Sequence, residues 1–253
     1  MIDTRIVRNL KAIESVAVIP RVASTNLVAR RIVTECVENE LSLPQALIIA
    51  GEQFAGRGRN DRRWSSPPWK GIYATALVTR PLRELPLVPL AMANFIAIHL
   101  RATYGVDARI KWPNDVLVDR RKIAGILMEA RIQDDRVFLL IGIGINVEPV
   151  KDDARPNAVA ISEIAERGYM DIEGALREFV HGIDAFFAQP FEVAQVRADW
   201  NDLCVHKAGD PIRSVIGERI IEGTWSRIDE HGRAVLMTPD GELAISAGDL
   251  FLA

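Results

Sequence analysis

Four strand-like segments follow one another between residues 109 and 147, with no helical pattern between them. Polar turns separate them, and the clearest of these is Asp119-Arg120-Arg121. Strands joined by short turns pair antiparallel, whereas parallel neighbours need a crossover of about a dozen residues or more. The pattern therefore predicts antiparallel hairpins and argues against the regular strand–helix alternation of a doubly wound sheet. The predicted strands cover 110–112, 116–118, 122–131 and 136–147.

On both sides of this run, the sequence predicts further helices and strands that belong to the same domain. Ser24 is a good N-cap for the first helix, and Pro89 suits the first turn of the second. Because helices thus flank antiparallel strands, the fold class is α+β, a mixed sheet with flanking helices. The predicted helices cover about 25–40, 89–100, 176–187 and 191–200, and further strands cover 46–50 and 72–78.

The chain changes character after Leu203, where short strand patterns alternate with turns rich in Gly, Asp and Pro. About 50 residues of closely spaced strands predict a small β-barrel. We therefore expect two domains, at 1–202 and 203–253. The predicted strands of the second domain cover 211–215, 220–227, 234–238 and 242–245.

Composition narrows the class of protein. The 31 Lys and Arg residues against 34 Asp and Glu give a net charge of −3, which argues against a protein that coats DNA or a membrane. No apolar run reaches ~18 residues, and the first residues lack the apolar segment of a signal peptide. Cys36 and Cys204 have neither disulfide-scaffold nor zinc-site spacing. We expect a cytoplasmic protein with two free thiols.

The segment from Gly51 to Trp64 contains two glycines that alternate with Arg57 and Arg59, followed by two more arginines. Glycine lets the backbone approach a ligand closely, and arginine supplies charged donors for phosphate or carboxylate. A Walker A loop would need Lys followed by Ser or Thr after Gly56, and this chain lacks that pair. The segment is either a loop that closes over an anion or a solvated basic loop.

Two lysines stand beside apolar strands. Lys111 lies between Ile110 and Trp112, either in an apolar wall facing a buried anion or on the surface beside a Trp-Pro turn. Lys122 precedes a strand that contains Gly125, and glycine inside a strand often marks close approach of a ligand. Both lysines are therefore candidates for an anion site.

The segment from Gly142 to Val147 alternates glycine with isoleucine and does not form a dinucleotide fingerprint, because Val147 occupies the third glycine position. Asn146 in this segment either binds a ligand or caps the following loop. No Ser/His/Asp or Cys/His arrangement has supporting context, so we predict no covalent nucleophile.

Five segments in this order resemble the biotin protein ligase family, from about residue 20 to the end of the chain. The resemblance implies an α+β catalytic domain related to lipoate ligases, followed by an SH3-like domain. It also implies that biotin and MgATP give biotinyl-5′-AMP and pyrophosphate. A lysine of a biotin carboxyl carrier domain then attacks the mixed anhydride. The segments are Ser24-Thr25-Asn26, 53–64, Lys111-Trp112-Pro113-Asn114-Asp115, 122–127 and 142–146.

The resemblance also assigns roles to single residues, and Arg59 and Lys111 are the expected catalytic residues. Lys111 matches the family's lysine that touches the biotin carboxylate and the adenylate phosphate. It does not indicate which residues bind Mg²⁺. The residues implied to bind biotin are Ser24, Thr25, Asn26, Gln53, Arg57, Gly58, Arg59 and Lys111. Those implied to bind the adenylate are Arg59, Arg62, Trp64, Lys111, Lys122 and Asn146.

These roles agree with the chemistry. Joining a carboxylate to ATP brings like charges together, and clustered Arg and Lys stabilise that charge. A loop ordered over the intermediate keeps water from the anhydride. The acceptor lysine must lose a proton, and Asp115 is either the residue that assists or part of a structural turn.

The chain departs from the family pattern in two places. Asp61 stands where the arginine–glycine loop usually has glycine, which puts the tightness of loop closure in doubt. The 23 residues before Ser24 are too few for the winged-helix domain of members that repress transcription. We therefore expect a ligase that does not bind DNA, with a homodimer as one possible state.

Three alternatives remain at this point. A nucleic-acid or anion-binding module would use 56–63 as a basic loop, although the net charge and the lack of interleaved aromatic residues argue against it. A lipoate or other acyl ligase would share the fold, but the Arg-Arg…Gly-Gly signature of lipoate ligases is absent. The third is a relative without catalytic activity, because Asp61 interrupts the usual loop.

Overall fold

The computed structural model describes residues 9–60, 62–133, 136–150, 157–165, 171–216, 219–246 and 248–252. The elements follow the predicted sequence of strands and helices, with one strand added at each end and a short helix added in the middle. The strands are β1 (Ser15–Val22), β2 (Ala46–Gln53), β3 (Gly71–Arg80), β4 (Arg109–Lys111), β5 (Asp115–Val118), β6 (Arg121–Gln133), β7 (Arg136–Asn146), β8 (Pro211–Ile216), β9 (Arg219–Ile228), β10 (Ala234–Thr238), β11 (Gly241–Ile245) and β12 (Asp249–Leu252). The helices are α1 (Thr25–Glu38), α2 (Val88–Tyr104), α3 (Ile161–Ile164), α4 (Ile172–Ala188) and α5 (Val193–Leu203), with a 3₁₀ turn at Leu82–Glu84.

The first seven strands form one mixed sheet in the order β1-β2-β3-β7-β6-β5-β4. β1 and β2 are parallel because α1 crosses between them, and the other neighbours pair antiparallel, which the hairpin pattern predicted for β4 to β7. The register places Thr75 of β3 opposite Gly142 of β7, and Gly142 opposite Leu127 of β6. Three central strands thus meet where the polar and glycine residues of the candidate site lie.

Helices cover both faces of this sheet. On one face, Ala29 and Val33 of α1 pack against Ile48 and Leu77. On the other face, α2 and α4 bury large side chains in the main core. Both faces of β2 are therefore apolar, which explains why its first six residues are all buried.

The last five strands form a second, antiparallel sheet in the order β11-β10-β9-β8-β12. The predicted α+β fold with a small second β unit is confirmed. The second unit, predicted as a small β-barrel, is an antiparallel sheet in which β11 does not pair with β12 within the residues described. The sequence pattern also missed β1, α3 and β12, which are short or largely exposed and carry weak periodicity.

The two sheets share one core. Ile212, Trp225 and Leu250 of the second sheet belong to the same buried cluster as α2 and the central strands. The indole of Trp112 donates a hydrogen bond to the carbonyl of Gly232 at 3.1 Å. The ring of Trp200 in α5 stacks on that of Trp225 at 5.9 Å between centroids.

Asp184 of α4 forms hydrogen bonds with the backbone of residues 11–13, before β1. It is 5% exposed, and its carboxylate accepts hydrogen bonds from the backbone N–H groups of Lys11, Ala12 and Ile13 at 2.8–3.1 Å. Burial alone raises the pKa of this carboxyl, but the three backbone donors outweigh burial and hold the pKa below its ordinary value of 3.8. The ionised form therefore stabilises the folded chain.

We predict that Asp184→Ala lowers the free energy of unfolding at pH 7 by about 3 kcal/mol, because three backbone donors, one of them at the buried Ile13, lose a charged acceptor. The lowered pKa means that this contribution is present above pH ~4 and disappears as the pH falls through the folded-state pKa. Urea unfolding measured from pH 7 to pH 3 checks both statements. Glu178→Ala, at an exposed position of the same helix, is the control; equal losses in the two variants would contradict the assignment.

Candidate ligand-binding site

A cavity of about 860 Å³ lies between the start of α1, the connection from β2 to β3, and strands β5, β6 and β7. Every site residue predicted from the sequence except Lys111 lines it. The predicted lining residues are Ser24, Thr25, Asn26, Gln53, Arg57, Gly58, Arg59, Arg62, Trp64, Lys122 and Asn146.

The start of α1 forms a buried polar wall of the cavity. Ser24, Thr25 and Asn26 are 3–5% exposed. The backbone N–H of Thr25 donates to Gln53 Oε1 at 2.8 Å, and Gln53 Nε2 donates to Ser66 Oγ at 3.0 Å. These two bonds set the orientation of the Gln53 amide and connect the helix start to the following loop.

A second set of polar contacts continues from this wall into the sheet. Thr75 of β3 is fully buried, and its hydroxyl oxygen lies 2.7 Å from Thr25 Oγ1 and 2.6 Å from Asn26 Oδ1. Asn26 Nδ2 donates to Glu129 Oε1 at 2.9 Å, and Glu129 also forms an ion pair with Arg30. The Asn26 amide is therefore held at both ends.

Glycines of β6 and β7 make room for site side chains, and close approach was predicted for one of them, Gly125. A Cβ atom on Gly142 would lie 2.5 Å from Asn26 Oδ1. A Cβ atom on Gly144 would lie 2.4 Å from the Trp64 ring, and the same ring lies against Gly125. Glycine in β6 and β7 thus lets the loop tryptophan lie flat on the sheet.

The arginine-rich loop doubles back as a narrow hairpin over the cavity. The backbones of Arg57 and Arg63 form an isolated antiparallel β-bridge. The Gly58 N–H donates to the carbonyl of Arg62 at 2.7 Å. The Arg59 guanidinium donates to Asn114 Oδ1 and to the Gly248 carbonyl, both at 3.2 Å. Arg59 therefore connects the loop to the main sheet and to the second sheet. Asp61, the departure from the family pattern, lies outside the described residues.

Lys122 is the lysine of the cavity. Its Nζ lies 2.6 Å from Asp115 Oδ1 and 5.2 Å from the centroid of the Trp64 ring. Both side chains of the ion pair keep about a third of their surface exposed. A partly exposed ammonium beside an aromatic face and one carboxylate is well placed to receive an additional anion.

Lys111 does not line the cavity, although it pairs across the strands with Asp115, which does. Its Nζ lies 5.2 Å from the centroid of the Phe251 ring in β12. It is also close to His206, a buried residue before the second sheet: burial, helped by the charge of Lys111, lowers the pKa of His206 to about 4. Lys111 is therefore a neighbour of the cavity and not part of its lining, and its ligand role stays a prediction.

Asn146 lines the cavity and also supports its wall. Its Nδ2 donates to the backbone carbonyls of Lys122 at 3.2 Å and Val159 at 3.1 Å. These bonds fit the second alternative from the sequence, in which Asn146 holds the loop after β7.

Sequence reasoning missed Thr75 and Glu129. A signal for Thr75 was available, because it is a polar residue inside the apolar run 72–78. Glu129 offered none, since a single charged residue in a long strand resembles an ordinary solvent-facing position.

The described part of the chain holds no group of three or more His, Cys, Asp or Glu residues placed to bind a metal ion. Cys36 and Cys204 are both free and half-buried. Among the helices described, none is long and apolar enough to span a bilayer.

A family model described as "Biotin/lipoate A/B protein ligase family" matches residues 18–146, which is over half of the chain. The chain belongs to this family. The matched residues include the whole cavity wall from α1 to Asn146.

Sequences of individual biotin ligases are also similar to this chain. The chain is 31% identical over 219 residues to a biotin--[acetyl-CoA-carboxylase] ligase of Paracoccus denitrificans, covering 81% of this chain and 90% of that protein. It is 40% identical over 110 residues to the bifunctional ligase/repressor BirA of Bacillus spizizenii, covering 42% of this chain and only about a third (34%) of that protein.

A solved structure shares the fold. The biotin protein ligase of Aquifex aeolicus, in complex with biotin and ATP, superposes with a TM-score of 0.71 at 24% identity. The match covers 95% of this chain and 99% of that one, so it includes the second sheet.

We predict that Gly144→Ala lowers the free energy of unfolding by about 1–3 kcal/mol, because the new methyl group displaces the Trp64 ring from β7. Gly58→Ala is the matched control, since its Cβ would meet its nearest neighbour at an ordinary 3.4 Å. The control should cost less than about 1 kcal/mol. Chemical denaturation of both variants tests this, and equal losses would contradict the close packing of Trp64.

Proposed function

We propose that this protein is an ATP-dependent biotin ligase, which forms biotinyl-5′-AMP and transfers biotin to a lysine of a biotin carboxyl carrier domain. Membership in the ligase family and the relative from Paracoccus support the reaction. The observation that carries the proposal is one cavity that combines a buried polar wall at Thr25 and Gln53 with the cations of the loop and Lys122.

The polar wall is our proposed site for the biotin ring system. The biotin head has two N–H donors and one carbonyl acceptor, and the wall offers hydroxyl and amide groups that are already oriented by their own hydrogen bonds. We assign Ser24, Thr25, Asn26 and Gln53 to this part of the substrate. Groups that are held in place before binding need little further ordering, which favours affinity.

The cationic side of the cavity is our proposed adenylation site. A biotin carboxylate oxygen attacks the α-phosphorus of ATP, the bond to pyrophosphate breaks, and its electron pair leaves with the pyrophosphate. Preorganised cations stabilise the negative charge that gathers on the phosphorus oxygens. We assign this role to Arg57, Arg59, Arg62 and Lys122, with Gly58 allowing the loop to lie close to the ligand. Trp64 and Asn146 complete the adenylate site.

The sequence-based prediction gave Lys111 the contact with the phosphate, but the positions of the two lysines favour Lys122. Lys122 lines the cavity, whereas Lys111 lies against Phe251. We therefore assign the phosphate-facing ammonium to Lys122. For Lys111 to reach the biotin carboxylate, its side chain must move away from the Phe251 ring.

In the second step, the amine of the acceptor lysine attacks the carbonyl carbon of the anhydride, the bond to phosphate breaks, and AMP leaves. Asp115 is the sequence-based candidate for taking the amine proton. Its carboxylate is already paired with Lys122, so we assign it first to positioning that lysine.

The proposed reaction needs Mg²⁺, which enters with ATP. Asp115 is a carboxylate in the cavity that suits a cation held mainly by phosphates. We propose 1–202 as the catalytic domain, 203–253 as the second domain, and the cytoplasm as the compartment.

Exchange of labelled pyrophosphate into ATP tests the activity. We expect exchange that depends on biotin, because the first step is reversible and needs no acceptor protein. Lipoate is the control substrate, since the family model covers both kinds of ligase. Exchange supported by lipoate and not by biotin would show that the assigned substrate is wrong.

A further inference from the structure

The Asn26 amide has one permitted orientation. Its nitrogen faces Glu129 Oε1 at 2.9 Å and the Leu127 carbonyl at 3.5 Å, and both of these oxygens only accept hydrogen bonds. Turning the amide over would bring its oxygen against two acceptors. Asn26 Oδ1 therefore faces Thr75, and it also only accepts.

This orientation of the amide determines which of the Thr75 and Thr25 hydroxyl groups donates in each hydrogen bond. Thr75 has a single hydroxyl proton, and the 2.6 Å contact with Asn26 Oδ1 requires that proton. The 2.7 Å contact between Thr75 and Thr25 must then be donated by Thr25, so its single proton is not shared with Gln53 Oε1, which lies 3.2 Å from the same hydroxyl oxygen. The Thr25 hydroxyl thus points its proton inward and accepts from any ligand in the cavity that it lines.

The chain of hydrogen bonds ends at a carboxylate that is held in place. Glu129 uses Oε2 for the ion pair with Arg30 and Oε1 for Asn26. Arg30 lies one helical turn after Asn26, so one face of α1 supplies both partners. Glu129 does not line the cavity and acts through Asn26, Thr75 and Thr25.

We propose that Glu129 is a positioning residue that determines substrate specificity, by making the Thr25 hydroxyl an obligatory acceptor. The proposal rests on the proposed function, because the ligand it selects is a head group with N–H donors, such as the cyclic urea of biotin. A ring that presents only acceptors or sulfur atoms to Thr25 leaves that oxygen without a donor, which costs binding free energy.

Glu129→Gln tests the proposal because it keeps the shape of the side chain and replaces the obligatory acceptor by a group that also donates. Biotin affinity is measured by calorimetry on the full chain without ATP, beside a cyclic-carbonate analogue whose ring oxygens replace both N–H groups. We expect Glu129→Gln to weaken biotin binding roughly tenfold and to change carbonate binding less than about twofold. Melting temperature and ATP affinity report whether the fold is intact.

Glu52→Gln is the matched control. Glu52 forms an ion pair with Arg21 at 3.0 Å on the same sheet, its exposure is close to that of Glu129, and it does not touch Thr25. Its affinities should match those of the wild type. Thr75→Val interrupts the chain at its middle and should reduce discrimination to a similar extent, with no further loss in the double variant.

An unchanged ratio of biotin to carbonate affinity in Glu129→Gln, or an equal loss for both ligands, would overturn the positioning role. Failure of the wild-type chain to bind biotin at all would instead overturn the proposed function on which the inference rests. The two failures are therefore distinguishable in one experiment.

Discussion

Repulsion among like charges is the constraint on which the site depends. Arg57, Arg59, Arg62, Arg63 and Lys122 line one cavity of a chain whose net charge is −3, and among the described lining residues Asp115 is the carboxylate that faces them. Such a cluster gains stability when an anion enters, and the field is strongest in a partly enclosed cavity. The proposed adenylation reaction supplies phosphate charge in this cavity.

The rest of the fold holds this charge in position. Strands β3, β6 and β7 place Thr75, Gly125, Gly142 and Gly144 side by side, so that the Trp64 ring and the start of α1 lie directly on the sheet. The second sheet contributes through the Gly248 carbonyl, which accepts from Arg59. Binding groups therefore come from elements far apart in sequence, and the shared core keeps them together.

Sequence patterns predicted the antiparallel strands and the long helices because apolar periodicity is a local property. The motifs also predicted most residues that line the cavity, since each motif belongs to one turn or strand end. The side-chain direction of Lys111 was beyond such reasoning: its neighbour Phe251 lies 140 positions away on β12, a strand that the pattern did not reveal. Glu129 escaped notice for the same reason, because its importance comes from contacts across α1 and β6.

The most direct test of the account compares biotin-dependent pyrophosphate exchange in Lys122→Met and Lys111→Met. Both changes remove one ammonium and keep a side chain of similar length. If the cavity cations stabilise the activated phosphate, Lys122→Met should lower the exchange rate about 100-fold, and by more than Lys111→Met does. Near-normal exchange in Lys122→Met would contradict the central claim.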